Sequence, residues 1–319
     1  MTARVASDDP VASGREAERG LRLERRESKH VFPFANEERR RSLGAQPHSE
    51  STTDAVGVWN YDPRMRIATW NVNSIGARLP RLLDWLVTRE PDAVALQETK
   101  AADSSFPYAE LADLGYEALH VGDGRWNGVA VLSRVGLEPV ATELPGHPEP
   151  RYACARCGPL IVTSVYVPNG RALGDPHYDY KLDWLATLRR TLPDTETPTR
   201  QVIMGDFNVA PTDNDVWDMA AFENSTHVTE PERAAVRALI DTGLVDVPAR
   251  PGKNDRPFTY WDYRAGMFHK DLGMRIDLVL ASPALVVRDA YVDRDARKGK
   301  LPSDHAPVVV DLDLDESAE

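Results

Sequence analysis

The sequence predicts one α/β domain of sheets covered by helices, preceded by a mixed-charge extension. Three observations carry this reading. From Met65 onward, short apolar runs alternate with stretches of helical periodicity; no repeat or linker divides residues 65–319; and residues 1–64 have hardly any apolar periodicity.

Residues 1–64 are punctuated by SDDP, SGREAERG, ERRESK and EERRRS, a composition that buries too little apolar surface to fold and reads as disordered. Met65 immediately precedes the first strand-like run, which makes it a candidate natural start. Residues 66–70 read as strand, 79–88 place apolar residues at helical spacing, and 93–96 return to strand, a βαβ-like opening. Further strands are expected at 128–132, 160–167, 201–204, 275–280, 284–287 and 307–312. Helices are expected at 180–190, with Leu182, Leu185 and Leu188 turned to a core, and at 231–242.

Composition limits the function classes. In 319 residues, 42% hydrophobic and 28% charged is a globular balance, and no apolar run approaches the roughly 18 residues of a membrane helix. The first ten residues lack the apolar centre of a secretory signal, so the expected location is cytoplasmic, with no membrane partner. Cys154 and Cys157 form a C-x-x-C, but no second pair or His-x-x-x-His completes a zinc site; neither thiol is expected to serve activity. Taken alone, the net charge of −12 opposes a phosphate-binding role. Residues 1–64 hold 11 Lys/Arg and 11 Asp/Glu, so the whole deficit lies downstream, where a divalent cation bound by carboxylates would supply positive charge.

The informative feature is what ends each buried-looking run. IATWN ends at Asn71, AVALQE at Glu98 and VIMGDFN at Asp206 and Asn208, while Asp277 lies inside an apolar strand. A single Asp or Asn at a strand end is usually a turn former or helix cap. Four such endings in an α/β pattern point to one polar pocket, because strand ends converge on the functional crevice. Together with the Asp304-His305 pair these are hard oxygen ligands plus one imidazole, a set that suits Mg²⁺ or Mn²⁺ over zinc.

The segments MRIATWNVNSIGAR, LQETK, GRWNGVAVLS, VYVPNG, GDFNVAPTD, FTYWDYR, RIDLVLAS and SDHAPV resemble, in that order, the motifs of the exonuclease III and abasic-site (AP) endonuclease family, over essentially all of residues 65–319. GDFN and SDH are shared across the wider endonuclease, exonuclease and phosphatase superfamily; QETK, YVPNG and WDYR narrow the resemblance to its DNA repair branch. It implies a four-layer α/β sandwich of two mixed β-sheets flanked by helices, DNase I-like, with the pocket at one rim. It also implies a monomer acting on duplex DNA with abasic sites or blocked or recessed 3′ ends.

By the same resemblance, Asn71, Glu98, Asp206, Asn208, Asp304 and His305 surround the metal, with Glu98 its principal carboxylate. Tyr166 approaches the scissile phosphate, Asp206 orients or deprotonates the attacking water, Asn208 stabilises the developing charge and Asp277 orients His305. Whether Asp206 or His305 is the base stays open at the level of sequence. Arg78, Lys100, Arg125, Asn169 and Arg171 border the DNA groove, and Tyr260, Trp261, Met274 and Ile276 line a pocket for a flipped abasic sugar. Met274 stands where some relatives carry tryptophan. The alternative is a superfamily phosphoesterase acting on small esters, an inositol phosphatase or a sphingomyelin-cleaving enzyme, which the acidic balance favours and QETK, YVPNG and WDYR oppose.

Overall fold

The computed structural model describes residues 64–192 and 199–314; the mixed-charge extension, apart from Arg64, lies outside these residues. The expected βαβ opening is present as β1 (Arg64–Asn71), α1 (Ile75–Arg89) and β2 (Ala93–Gln97), with β1 and β2 parallel. A short helix α2 (Tyr108–Asp113) leads into β3 (Glu117–Val121) and β4 (Val129–Ser133). Two strands from the end of the chain complete this sheet: β11 (Val286–Val292) and β12 (Val308–Asp313), the latter antiparallel to β1. The order is β11-β12-β1-β2-β4-β3.

The intervening chain builds a second six-stranded sheet. It comprises β5 (Leu137–Ala141), β6 (Tyr152–Cys157), β7 (Leu160–Tyr166), β8 (Gln201–Asp206), β9 (Val245–Asp246) and β10 (Asp277–Ala281) in the order β5-β6-β7-β8-β10-β9, with β7 and β8 parallel. Helices α3 (Pro176–Thr191) and α4 (Glu230–Ile240) cover its outer face, and a short α5 (Met267–Lys270) precedes β10. Each sheet therefore mixes one parallel pair with antiparallel neighbours.

Alternation along the strands makes the four layers. Met65 and Ile67 of β1, Ala93 and Ala95 of β2, Leu160 and Val162 of β7, Val202 and Met204 of β8 and Val279 of β10 meet between the sheets. The residues between them face outward: Ala68, Trp70, Val94 and Leu96 pack on Leu82, Trp85 and Leu86 of α1. On the other side, Val165, Ile203, Leu278 and Leu280 pack on Trp184, Leu185 and Leu188 of α3 and Val236 and Leu239 of α4. The buried stripe of α3 differs from expectation: Leu182 is only half-buried, whereas Lys181 is fully buried.

Caps start the two outer helices where the sequence supplies them. Asp175 accepts from His177 N (2.8 Å) ahead of Pro176, and Thr229 forms a capping box with Glu232. Gly205 is required by close approach: at φ +154° in β8, an added Cβ would lie 2.0 Å from the carbonyl oxygen of Val165 in β7. The two cysteines lie within β6, three residues apart and therefore on opposite faces of the strand, with Cys157 in the inter-sheet core. Burial pushes the Cys157 thiol up to about 12, and with the two side chains on opposite faces both cysteines are free.

Candidate active site

The inward parity of the strands does not stop where the apolar residues do. Continued by two residues it reaches Gln97 in β2 and Asp206 in β8, and by four it reaches Asn71 in β1 and Tyr166 in β7, while Asp277 opens β10 directly opposite Asp206. Both parallel pairs end, and their antiparallel partners β10 and β12 begin, at the same rim. Polar side chains from both sheets thus converge between the layers. Gln97 Nε2 donates to Ser164 Oγ (3.1 Å), which in turn donates to Leu96 O (3.0 Å), fixing one sheet against the other beneath them.

At the centre, Asn71 Nδ2 donates to Glu98 Oε1 (2.8 Å) and to Asp206 Oδ2 (2.9 Å). Its Oδ1 accepts from Asn73 N (3.0 Å), so Asn71 spaces the two carboxylates and turns its oxygen away from them. Asp206 Oδ1 accepts from Asn208 N (2.9 Å). His305, just before β12, is held at three points: its carbonyl accepts from Trp70 Nε1 (3.1 Å), its N–H donates to Ser303 Oγ (3.2 Å), and Nδ1 pairs with Asp277 Oδ2 (2.8 Å). Nε2 then faces Asp206 Oδ2 at 3.8 Å.

Electrostatics separate the roles of these groups. Burial alone would lower the His305 pKa, but the Asp277 carboxylate, with Asp206 and Asp304 also nearby, outweighs it and lifts the imidazole to about 10, which favours the imidazolium at neutral pH. Burial raises the Asp206 carboxyl to about 7; His305 opposes this, and Asp277 and Glu98 reinforce it. Burial would also raise Glu98, yet Lys100, whose Nζ is 2.8 Å from Oε2, holds it below the ordinary carboxylate value. Burial, with Glu98 and Asp206 nearby, pushes the Tyr166 phenol well above its usual value, so it stays protonated.

Ligand atoms of Glu98, Asp206 and His305 lie within 4.8 Å of one another. Asp277 Oδ1 is buried and without a hydrogen-bond partner among the described residues. Two carboxylates, one held ionised by a lysine, beside a single imidazole fit a divalent cation of the oxygen-preferring class. Of the other residues expected around a metal, Asn208 points its Oδ1 at Asn169 Nδ2 (3.1 Å), and Asp304 Oδ1 accepts from Asn73 Nδ2 (3.0 Å); both border the cluster without joining it.

The expected substrate residues divide into three groups. Lys100 bridges Glu98 and Asn73 Oδ1 (2.5 Å), and Asn169 reaches Asn208, so both are part of the rim. Arg78 is half-buried, donating to Tyr263 Oη (2.8 Å) and Pro302 O (3.2 Å), whereas Arg125 and Arg171 are exposed. The Tyr260 ring stands 4.9 Å from that of His305 and packs against the cluster that holds Met274 and Ile276, both of them buried. Trp261 departs from expectation. It is 1% exposed, its indole N–H donates to Asp271 (3.2 Å), and Phe268 and Arg294 cover its ring; it supports the wall from inside the core and offers no surface to a ligand.

Sequence reasoning passed over Asn73, Arg151 and His227. Arg151 lies 4.7 Å over the Tyr166 ring, and His227 Nε2 is 3.2 Å from Asn208 Oδ1. One signal was available for Asn73, the second amide of WNVN after a strand end; a lone Arg or His in a loop carries none. Several residues of the rim have left-handed backbone, with φ between 45° and 80° at Asn73, Glu98, Lys100, Asn208 and His227.

The sequence matches the model of the Endonuclease/Exonuclease/phosphatase family over residues 68–305. It is 32% identical over 266 residues to the exodeoxyribonuclease III of Haemophilus influenzae, an alignment covering 76% of this chain and 98% of the relative. Among solved structures it is similar to an AP endonuclease from Archaeoglobus fulgidus, with a TM-score of 0.73 and 35% identity over 77% of this chain and 98% of that one. A 3′ phosphatase from Neisseria, bound to a product DNA hairpin, superposes with a TM-score of 0.73 and 37% identity over the same shares.

Proposed function

Because the chain belongs to the Endonuclease/Exonuclease/phosphatase family, in its exonuclease III and AP endonuclease branch, we propose that it repairs duplex DNA by Mg²⁺-dependent hydrolysis of phosphodiester bonds. The proposed reactions are incision at abasic sites, removal of 3′ blocking groups and 3′-to-5′ degradation. The observation that carries the reading is the convergence of Asn71, Glu98, Asp206, Asn208, Asp277 and His305 on one rim. Similarity to a 3′ phosphatase holding a DNA hairpin and to an AP endonuclease supports DNA as the substrate.

The charge states suggest a division of labour. Asp206, tied to Glu98 through Asn71 and facing His305 Nε2 at 3.8 Å, is assigned to orient and deprotonate the attacking water. His305, an imidazolium backed by Asp277, is assigned as a donor to a nonbridging phosphate oxygen, which leaves it no free site to act as base. The Tyr166 hydroxyl and the side chain of Asn208 are assigned to the phosphate as further polar contacts. Glu98 and Asp206 would hold Mg²⁺, whose charge neutralises the pentacovalent phosphate and its leaving oxygen.

The test is a duplex carrying a single abasic site, incubated with Mg²⁺ or with EDTA. Incision 5′ to the lesion is expected with Mg²⁺ alone, abolished in Glu98→Ala and reduced about 10²–10⁴-fold in Asp206→Asn. The net charge of −12 favours a second reading, hydrolysis of small phosphate esters. Turnover of inositol phosphates without DNA cleavage would establish that reading and overturn the first.

A further inference from the structure

A buried charged pair that the reaction leaves unused lies on the outer side of the second sheet. Lys181 of α3 and Glu232 in the first turn of α4 are both 0% exposed, with Nζ and Oε1 2.5 Å apart. Desolvating two charges costs several kcal/mol per ion, so such a pair is a poor device for stability, and a well-packed neutral pair often does as well or better.

Its remaining contacts lead back to the rim. Lys181 Nζ donates to the backbone oxygens of Asn208 (2.6 Å) and Asn169 (3.4 Å). Glu232 Oε1 also accepts from His227 N (2.9 Å), and His227 Nε2 lies 3.2 Å from both Asn208 Oδ1 and Asn169 Nδ2. Asn208 Nδ2 is anchored separately on Val167 O (3.0 Å). The stem of Lys181 is seated closely, since a Cβ on Gly170, at φ +84°, would come within 3.2 Å of its Cδ. One ammonium therefore grips the loops after β7 and β8, and one carboxylate grips the loop before α4, whose imidazole closes on the same two amides.

We propose that Lys181 and Glu232 are a positioning pair that fixes the Asn169 and Asn208 amides for the phosphate, setting turnover more than stability. The inference rests on the role given above to Asn208. Neither residue touches substrate; each acts through the backbone that carries the amides.

The experiment replaces the pair as a unit, with Lys181→Met and Glu232→Gln together, the latter chosen because Gln also serves in a capping box. The double variant is expected to fold with wild-type circular dichroism. On duplex DNA with Mg²⁺ its kcat should fall about 10- to 100-fold while KM changes less than about 3-fold, as for a misplaced catalytic contact. The side-chain amide signal of Asn208 in ¹⁵N spectra, identified by its loss in Asn208→Ala, should shift or broaden. A milder pair, Lys181→Gln with Glu232→Gln, keeps donors and acceptors and should recover part of the rate; it also serves if the first variant does not fold. Wild-type kcat and an unmoved Asn208 signal in a folded pair variant would overturn the proposal. Full activity in Asn208→Ala would instead remove the role assigned to Asn208 itself.

Discussion

The imidazole of His305 is the group whose charge the rest of the rim determines. Asp277, with Asp206 and Asp304, raises it from an ordinary 6.5 to about 10 against the effect of burial. Since the folded value is the higher one, this pairing contributes stability that is complete below pH 6.5 and is lost as pH rises toward 10. Denaturant titrations of the cation-free protein should show stability falling over that interval, with a shallower fall in Asp277→Asn; an unchanged slope in the variant would detach the effect from this pair. Asn71, Glu98, Asp206 and Asp277 stood out because each ends or interrupts an apolar run, where a buried carboxylate or amide needs a partner; His305 stood out only through its pairing with Asp304 in SDHAPV. Lys181 was not, because helical spacing read Leu182 as the buried position and nothing local announces a carboxylate 51 residues away. Trp261 misled for the opposite reason: an aromatic near the site can support it from behind.

At the scale of elements, central strands were legible and edges were not. The strands around 66–70, 93–96, 128–132, 160–167, 201–204, 275–280 and 307–312 all lie inside a sheet, where two neighbours bury them and their sequences are mostly apolar. The outermost strands are β3, β5, β9 and β11. Three of them gave no signal, and β11 begins later than expected, because half-exposed strands such as LEPVA carry neither an apolar run nor clean alternation. Short β6, rich in alanine and cysteine, was missed as well. Pairing inside the second sheet leads to the element-scale prediction. Gly205→Ala would push a Cβ into the Val165 carbonyl one residue before Asp206, at a cost of about 1–3 kcal/mol from backbone strain alone. Calorimetry should record a lower Tm together with reduced nuclease activity; a wild-type Tm would mean that β7 and β8 do not need this close approach.

For the whole molecule, what matters is that the reactive cluster belongs to neither sheet. Asn71, Glu98 and His305 come from the first, Tyr166, Asp206 and Asp277 from the second. A cation bound between Glu98 and Asp206 therefore links both layers and stabilises only the assembled state, by about 2.7 kcal/mol at a hundred times its dissociation constant. Millimolar Mg²⁺ should raise the Tm of the wild type and leave that of Glu98→Ala unmoved; equal shifts in both would place the cation elsewhere. The same architecture has a consequence during synthesis. The first sheet is closed by β12, inserted between β1 and β11, and His305 is delivered by the segment that leads into it. The chain must therefore be made through β12 before His305 can be held between Trp70 and Asp277, and a chain ending short of this strand is expected to lack the assembled cluster.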